Sequence, residues 1–95
     1  MRVDRVQEFE DWLECLRDHR GRAKIVGRLE RLSLGNPGVV APCGDGLSEM
    51  KIDFGPGYRV YYWQRGEVAL VLRGGDKDTQ DHDIREAKKL MEMYR

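Results

Sequence analysis

The segment KIDFGPGYRVYYW, residues 51–63, combines cations and aromatic rings at a two-residue spacing. Lys51, Asp53, Arg59, Tyr61 and Trp63 occupy alternate positions on the two sides of a Gly-Pro-Gly corner. Since alternate residues of a β-strand lie on one face, a hairpin would present these five side chains together. Cations neutralise phosphate charge, and aromatic rings stack on nucleic-acid bases. The face could therefore be an ordinary solvated sheet, a docking surface for a partner, or a surface that binds RNA.

The pairing register of this hairpin decides which side chains meet. If Phe54 opposes Tyr58 across the glycine corner, the facing pairs are Asp53 with Arg59, Lys51 with Tyr61, and Glu49 with Trp63. An Asp53–Arg59 ion pair at a surface contributes little to stability. Two large rings on a polar face are more expected where bases, a peptide or another helix cover them.

Arg73 joins or leaves this face according to the length of the next turn. With a three-residue turn at 64–66, Val71 would oppose Arg59 and Arg73 would share its face. A two-residue turn would send Arg73 to the other face. We favour the first arrangement because it gathers Lys51, Arg59 and Arg73 into one cationic patch.

Residue spacing argues against several other chemistries. The two histidines and two cysteines lack the spacing of a zinc site, and GGDKD lacks the length and the Lys-Ser/Thr of a P-loop. The acids at 76, 78, 81 and 83 lack the closing Glu and central Gly of a calcium loop and are typical of a helix start. We therefore predict no metal and no cofactor. His82, close to this helix start, could exchange a proton near neutral pH.

Length and composition favour a single domain, residues 1–95. The chain is 40% hydrophobic and 36% charged, with 17 cationic and 17 acidic side chains, as in globular proteins. Residues 4–14 are mainly acidic and residues 17–31 mainly basic, as in two packed helices with complementary flanks. The charged N-terminus does not resemble a signal peptide, and VALVL (68–72) is too short to span a bilayer. We expect a cytoplasmic protein with reduced cysteines.

The hydrophobic period predicts the elements that must position these residues. Helical spacing covers about 8–18 and 20–34, after a short edge strand at 2–6. Strand alternation follows at 47–54, 58–63 and 68–72, and a last helix, capped by Thr79 or Asp81, runs to the C-terminus. The predicted class is α+β: an N-terminal helical hairpin packed on an antiparallel β-meander, followed by a C-terminal helix, with the helices on one face of the sheet.

Two motifs in order, GDGLSEMKIDFGPGYRVYYW and RGGDKDTQDHDIREAKKL, resemble the addiction-module killer proteins of the RelE/HigB branch of the RelE/ParE toxin superfamily. The segment FEDWLECLRDHRGRAKIVGRLERLSLGN is similar to that group's helical hairpin, so the likeness covers nearly the whole chain. The resemblance implies a RelE/ParE-like fold and the toxin of a bacterial type II toxin–antitoxin module. It also implies cleavage of messenger RNA, usually in the ribosome, without a metal ion.

The resemblance implies catalytic roles for five residues. Arg59 matches a strand arginine of the family and Lys51 a strand lysine. Lys77 and His82 stand where relatives place an arginine and a tyrosine or histidine. The 2′-hydroxyl of the RNA is the nucleophile, so Lys51, Arg59 and Arg73 or Lys77 would neutralise the scissile phosphate.

The resemblance further implies RNA-binding roles for Glu49, Tyr61 and Trp63. One of the two rings would stack on a splayed base. Glu49 stands where some ribonuclease members have a second lysine, and either Glu49 or His82 could act as acid or base. The acid and the base therefore stay unassigned.

The resemblance also indicates partners. We expect a cognate antitoxin with a helix-turn-helix domain, encoded by the adjacent gene, through which the pair would contact operator DNA. The other partners would be messenger RNA and the ribosome, with no membrane. Two alternatives share the fold: a ParE-like inhibitor of DNA gyrase, and a non-catalytic module that only receives an antitoxin segment.

Overall fold

The alternating helical and strand periods of the sequence produce the elements of the computed structural model, which describes residues 1–95. In chain order these are β1 (Arg2–Arg5), α1 (Gln7–Cys15), α2 (His19–Ser33), β2 (Val40–Gly44), β3 (Leu47–Ile52), β4 (Tyr58–Arg65), β5 (Val68–Asp76), a 3-10 turn (Lys77–Thr79) and α3 (Gln80–Met93). The predicted α+β class is confirmed, as is the short strand near the N-terminus. None of the helices combines the length and the apolar character that crossing a bilayer requires.

Local signals set both ends of α2. Asp18 caps its start, because a carboxylate oxygen accepts the backbone N–H of Gly21 at 2.9 Å. At the other end Gly35 adopts a φ of 84°, and its N–H donates to the Leu32 carbonyl at 2.9 Å. Glycine enters this left-handed region without a steric penalty, so it ends the helix where the sequence predicts.

The sheet has five strands in the order β1-β5-β4-β3-β2. β1 runs parallel to β5, and the other pairings are antiparallel, so β3, β4 and β5 form the predicted meander. The sequence does not predict β2, because Pro42 and Gly44 interrupt its short alternation. This strand lies at the edge of the sheet, where a proline is tolerated.

The hairpin register differs from the expected one by two residues. Lys51 opposes Arg59 and Glu49 opposes Tyr61, so the expected pairing of Asp53 with Arg59 is wrong. Asp53 belongs instead to the connection between β3 and β4. A shift of two preserves the face, so Lys51 and Arg59 still share one side of the sheet.

Arg73 reaches the face of Arg59 by a route that the sequence does not predict. The turn after β4 has two residues, since Arg65 opposes Val68. β5 contains a β-bulge between the Val71 and Arg73 pairings. The bulge adds one residue to β5, so Arg73 lies opposite Tyr61 and on the same face of the sheet as Arg59.

Helices cover both faces of the sheet, so the expectation of helices on one face is wrong for α3. The hairpin helices pack on the side of Tyr58, whose hydroxyl donates to Asp18 at 2.8 Å and whose ring meets the Trp12 ring edge-on. On the other side, α3 is joined to the sheet by an ion pair between Asp83 and Arg73 at 2.8 Å. The face that carries Arg59, Tyr61 and Trp63 is therefore largely covered.

Two adjacent glycines in β5 allow this close approach. A Cβ at Gly74 would collide with the Trp12 ring, and one at Gly75 would collide with the Asp83 carboxylate. The Gly-Gly pair of the RGGD segment is thus required by helix packing on opposite faces.

Candidate functional site

A groove of about 540 Å³ lies beside the connection between β3 and β4. We call it the hairpin groove, and its lining is Val39, Lys51, Asp53, residues 55–57, Arg59 and Lys77. Strand pairing places Lys51 opposite Arg59, and the 3-10 turn after β5 brings Lys77 to the same groove. Three cations and one carboxylate thus line one space, and Lys51 and Arg59 are two of these cations.

Arg28 of α2 fixes the wall of the hairpin groove. Its Nη1 donates to the Lys51 carbonyl at 2.8 Å, and its Nη2 donates to the carbonyls of Pro37 and Val39 at 2.9 and 3.3 Å. The Lys51 N–H also donates to the Val39 carbonyl at 3.0 Å. Burial lowers the pKa of Arg28, whose charge is held by carbonyl oxygens. This arginine is therefore structural.

The Arg59 guanidinium is partly enclosed, with 13% of its side chain exposed. Nη1 donates to the carbonyls of Gly57 and Tyr58 at 3.1 and 3.2 Å. Nε lies 3.9 Å from the Glu49 carboxylate and has no hydrogen-bond partner. Both hydrogen bonds use Nη1, which leaves Nη2 for an anion in the groove.

Glu49 and Tyr61 are interior residues, which corrects their expected RNA-binding roles. The Glu49 carboxylate accepts a hydrogen bond from Gln80 Nε2 at 2.7 Å, and the residue as a whole is 2% exposed. Tyr61 is fully buried, and burial, together with the Glu49 charge, raises the pKa of its phenol. Its hydroxyl makes no hydrogen bond of normal geometry. Neither side chain can touch RNA in this conformation; Glu49 instead supports Arg59.

The charges of the hairpin groove are largely uncompensated. The ammonium groups of Lys51 and Lys77 form no ion pair, and neither does the Asp53 carboxylate. Lys77 and Asp53 are exposed, and Lys51 is half-buried. Such a groove can bind a phosphate through two or three cations and offers one carboxylate as a proton acceptor.

Arg73 and His82 lie outside the hairpin groove. Arg73 is held by Asp83 and lines a separate depression with Glu8 and Glu86. His82 is exposed on α3 and is absent from the groove lining. The structure therefore does not bring these two residues into the hairpin groove with Lys51, Arg59 and Lys77.

The Trp63 ring is half-buried and already has cationic neighbours. The guanidinium groups of Arg65 and Arg95 lie 4.5 and 5.4 Å from its ring centre. Trp63 is also absent from the lining of the hairpin groove, so the structure does not place its ring beside Lys51, Arg59 and Lys77.

Sequence reasoning missed two participants. The expected register pairs Asp53 with Arg59, whereas in the observed register Lys51 opposes Arg59 and Asp53 lines the groove. Gln80 carries no sequence signal, because its role depends on where α3 begins above Glu49. No group of three or more His, Cys, Asp or Glu side chains is placed to hold a metal ion.

The fold and the groove define a small α+β domain with a cationic cleft at the end of a β-hairpin. Over 83 residues, 86% of this chain, the sequence is 48% identical to an uncharacterized protein of Haemophilus influenzae, and the match covers 84% of that relative. The chain belongs to the same family as this protein. No protein-family model and no solved structure matches the chain.

Proposed function

We propose that the protein is the toxin of a type II toxin–antitoxin module, a cytoplasmic endoribonuclease that cuts ribosome-bound messenger RNA without a metal ion. The hairpin groove carries this proposal: the unpaired ammonium groups of Lys51 and Lys77 share one space with the Arg59 guanidinium. A groove of about 540 Å³ has room for a ribose-phosphate linkage. The likeness of the GYRVYY and GGDK segments to RelE/HigB toxins supports the same conclusion.

The proposed reaction is a transesterification within the RNA. The 2′-oxygen attacks the adjacent phosphorus, the bond to the 5′-oxygen breaks, and a 2′,3′-cyclic phosphate and a 5′-hydroxyl result. Lys51, Lys77 and Arg59 bind the non-bridging oxygens and stabilise the charge that develops on them. Asp53, the carboxylate that lines the groove, accepts the proton of the 2′-hydroxyl, and a lysine ammonium donates one to the leaving oxygen. His82 and Glu49 take no proton in this scheme, because neither faces the groove.

A double substitution tests the proposal without disturbing the fold. Lys51→Gln with Lys77→Gln removes two ammonium groups that form no ion pair, so folding should be unaffected. Loss of one group that stabilises a transition-state oxyanion costs about 10²-fold or more in rate, so the double variant should not arrest growth. Arg85→Gln, an exposed cation on α3 outside the groove, is the control and should remain toxic.

Mapping transcript 5′ ends after induction separates the nuclease from its alternatives. New 5′-hydroxyl ends within translated messages, absent with the double variant, are expected. Intact transcripts with DNA-damage signalling would replace the proposal with gyrase inhibition. Full toxicity of the double variant would remove the hairpin groove from the mechanism.

We propose in addition that an antitoxin from the adjacent gene binds this protein and neutralises it. This antitoxin would carry a helix-turn-helix domain and make the base contacts with operator DNA. Coexpression of the adjacent reading frame should restore growth, and the two proteins should elute together. Growth arrest that persists under coexpression would exclude that frame as the antitoxin.

A further inference from the structure

A second groove of about 700 Å³ runs along α2 and adjoins the hairpin groove. We call it the α2 groove; Arg20, Lys24, Gly27, Arg31 and Phe54 are among its lining residues. Asp53 lines both grooves, so that the two form neighbouring parts of one surface. The proposed cleavage reaction uses none of the residues that belong to the α2 groove alone.

Three unpaired cations follow one side of this groove. Arg20, Lys24 and Arg31 are exposed and form no ion pair. Their spacings of four and seven residues put them on one face of α2, about 6 and 10 Å apart along the axis at roughly 1.5 Å per residue. Arg28 is already bound to carbonyl oxygens, and the acidic residue in the lining is Asp53. The groove therefore suits an extended polyanion.

The floor of the α2 groove lets a chain approach the helix backbone. A Cβ at Gly27 would meet nothing within 4 Å, although glycine is unfavourable inside a helix. Phe54 is half-buried and lines the groove, and the Lys24 ammonium lies 5.6 Å from its ring centre. A basic groove with an aromatic ring is the arrangement that binds single-stranded nucleic acid, since bases stack on the ring while cations follow the backbone.

We propose that the α2 groove binds a single-stranded RNA segment, with phosphates on Arg20, Lys24 and Arg31 and a base on Phe54. The inference deepens the proposed function, because the strand would continue past Asp53 into the hairpin groove and be held on one side of the scissile bond. An acidic protein segment fits less well, because a docked helix needs a wider apolar strip than Ala23, Ile52 and Phe54 provide.

Binding of a labelled 2′-O-methyl oligoribonucleotide of twelve nucleotides tests the inference, because this RNA cannot be cleaved. The full chain is compared with a triple variant, Arg20→Gln, Lys24→Gln and Arg31→Gln. Each lost phosphate contact should reduce the slope of log K against log salt by roughly 0.7, so the triple variant should lose about 2 from this slope. The matched control is Arg17→Gln, Arg85→Gln and Lys89→Gln, which changes the net charge equally outside the groove and should keep the slope. Equal losses in both triple variants would overturn the proposal.

A second variant keeps the charge and blocks the groove. Gly27→Gln places a side chain on the open floor and removes a helix-interior glycine, so the thermal midpoint should not fall while RNA affinity drops about tenfold or more. Unchanged affinity would overturn the proposal. Tighter binding of an RNA duplex or of a poly-glutamate peptide to the α2 groove would likewise replace single-stranded RNA as the occupant.

The two proposals fail in different ways. If no transcript is cut but the α2 triple variant still loses its salt-dependent binding, the nuclease proposal fails and the α2 groove remains an RNA site. If the triple variant binds normally while the Lys51→Gln, Lys77→Gln variant loses cleavage, the α2 groove proposal fails and the nuclease proposal remains.

Discussion

Replacing Arg59 with alanine should reduce stability as well as activity, because its guanidinium is the cation beside a buried carboxylate. Nε of Arg59 lies 3.9 Å from Oε1 of Glu49, and the two side chains are 13% and 3% exposed. In Arg59→Ala the Glu49 charge stays buried with a neutral donor, Gln80. An uncompensated buried charge is among the most costly results of a single substitution.

The separation of the two charges sets how much the Arg59→Ala substitution should lower the free energy of unfolding. Two unit charges about 3.9 Å apart attract by about 4 kcal/mol at an effective dielectric constant of about 20. The pair lacks a direct hydrogen bond and Arg59 keeps some contact with solvent, so we expect the free energy of unfolding to fall by about 2 kcal/mol. Glu49→Gln removes the charge but keeps an oxygen for Gln80. The double variant should therefore recover more than half of the loss.

Urea unfolding of the parent, the two single variants and the double variant gives the coupling free energy of the pair. Growth arrest after induction gives the activity of the same four proteins. We expect a coupling of about 1–2 kcal/mol, and no growth arrest by the double variant despite its recovered stability. A coupling near zero would refute the electrostatic argument. Growth arrest by a stable double variant would remove Arg59 from the chemistry.

Other predictions concern the scaffold. Gly74→Ala should lower the free energy of unfolding by about 1–3 kcal/mol, because its Cβ collides with Trp12; a variant as stable as the parent would contradict the tight helix–sheet contact. Gly27→Ala should raise it by about 0.5–1 kcal/mol, since the methyl group meets nothing and alanine favours the helix, and urea unfolding checks both. Burial and donation to Asp18 raise the pKa of Tyr58 to about 12. Because folding favours the neutral phenol, its stabilisation is complete below pH 10 and is lost as pH rises to about 12. Urea unfolding across this range should show a decrease of stability with pH that is smaller in Tyr58→Phe, which keeps the other tyrosines whose pKa folding raises.

The two-residue period of β3 and β4 was enough to predict that Lys51 and Arg59 share a face. A register error of two residues leaves the face unchanged, so the shared face of Lys51 and Arg59 is predicted correctly although their pairing is not. Their direct opposition was not predictable, because a Gly-Pro-Gly corner does not say how many residues the connection uses. It runs from 53 to 57, since β3 ends at Ile52 and β4 begins at Tyr58.

The burial of Glu49 and Tyr61 depends on where α3 crosses the sheet. Sequence periodicity gives α3 an apolar stripe but does not say which face of the sheet it covers. A carboxylate and a phenol between cations are typical of a solvated face when only the strand is considered. Contacts between residues distant in the chain, such as that of Gln80 with Glu49 31 residues away, determine that this part of the strand is buried.

Between Trp12 and Asp83, β5 contributes only backbone, because Gly74 and Gly75 have no side chains. At this point only the backbone of β5 separates the two helical layers. Trp12 and the Asp83 carboxylate therefore approach opposite sides of neighbouring β5 residues, and both helices lie closer to the sheet than a strand with side chains would allow.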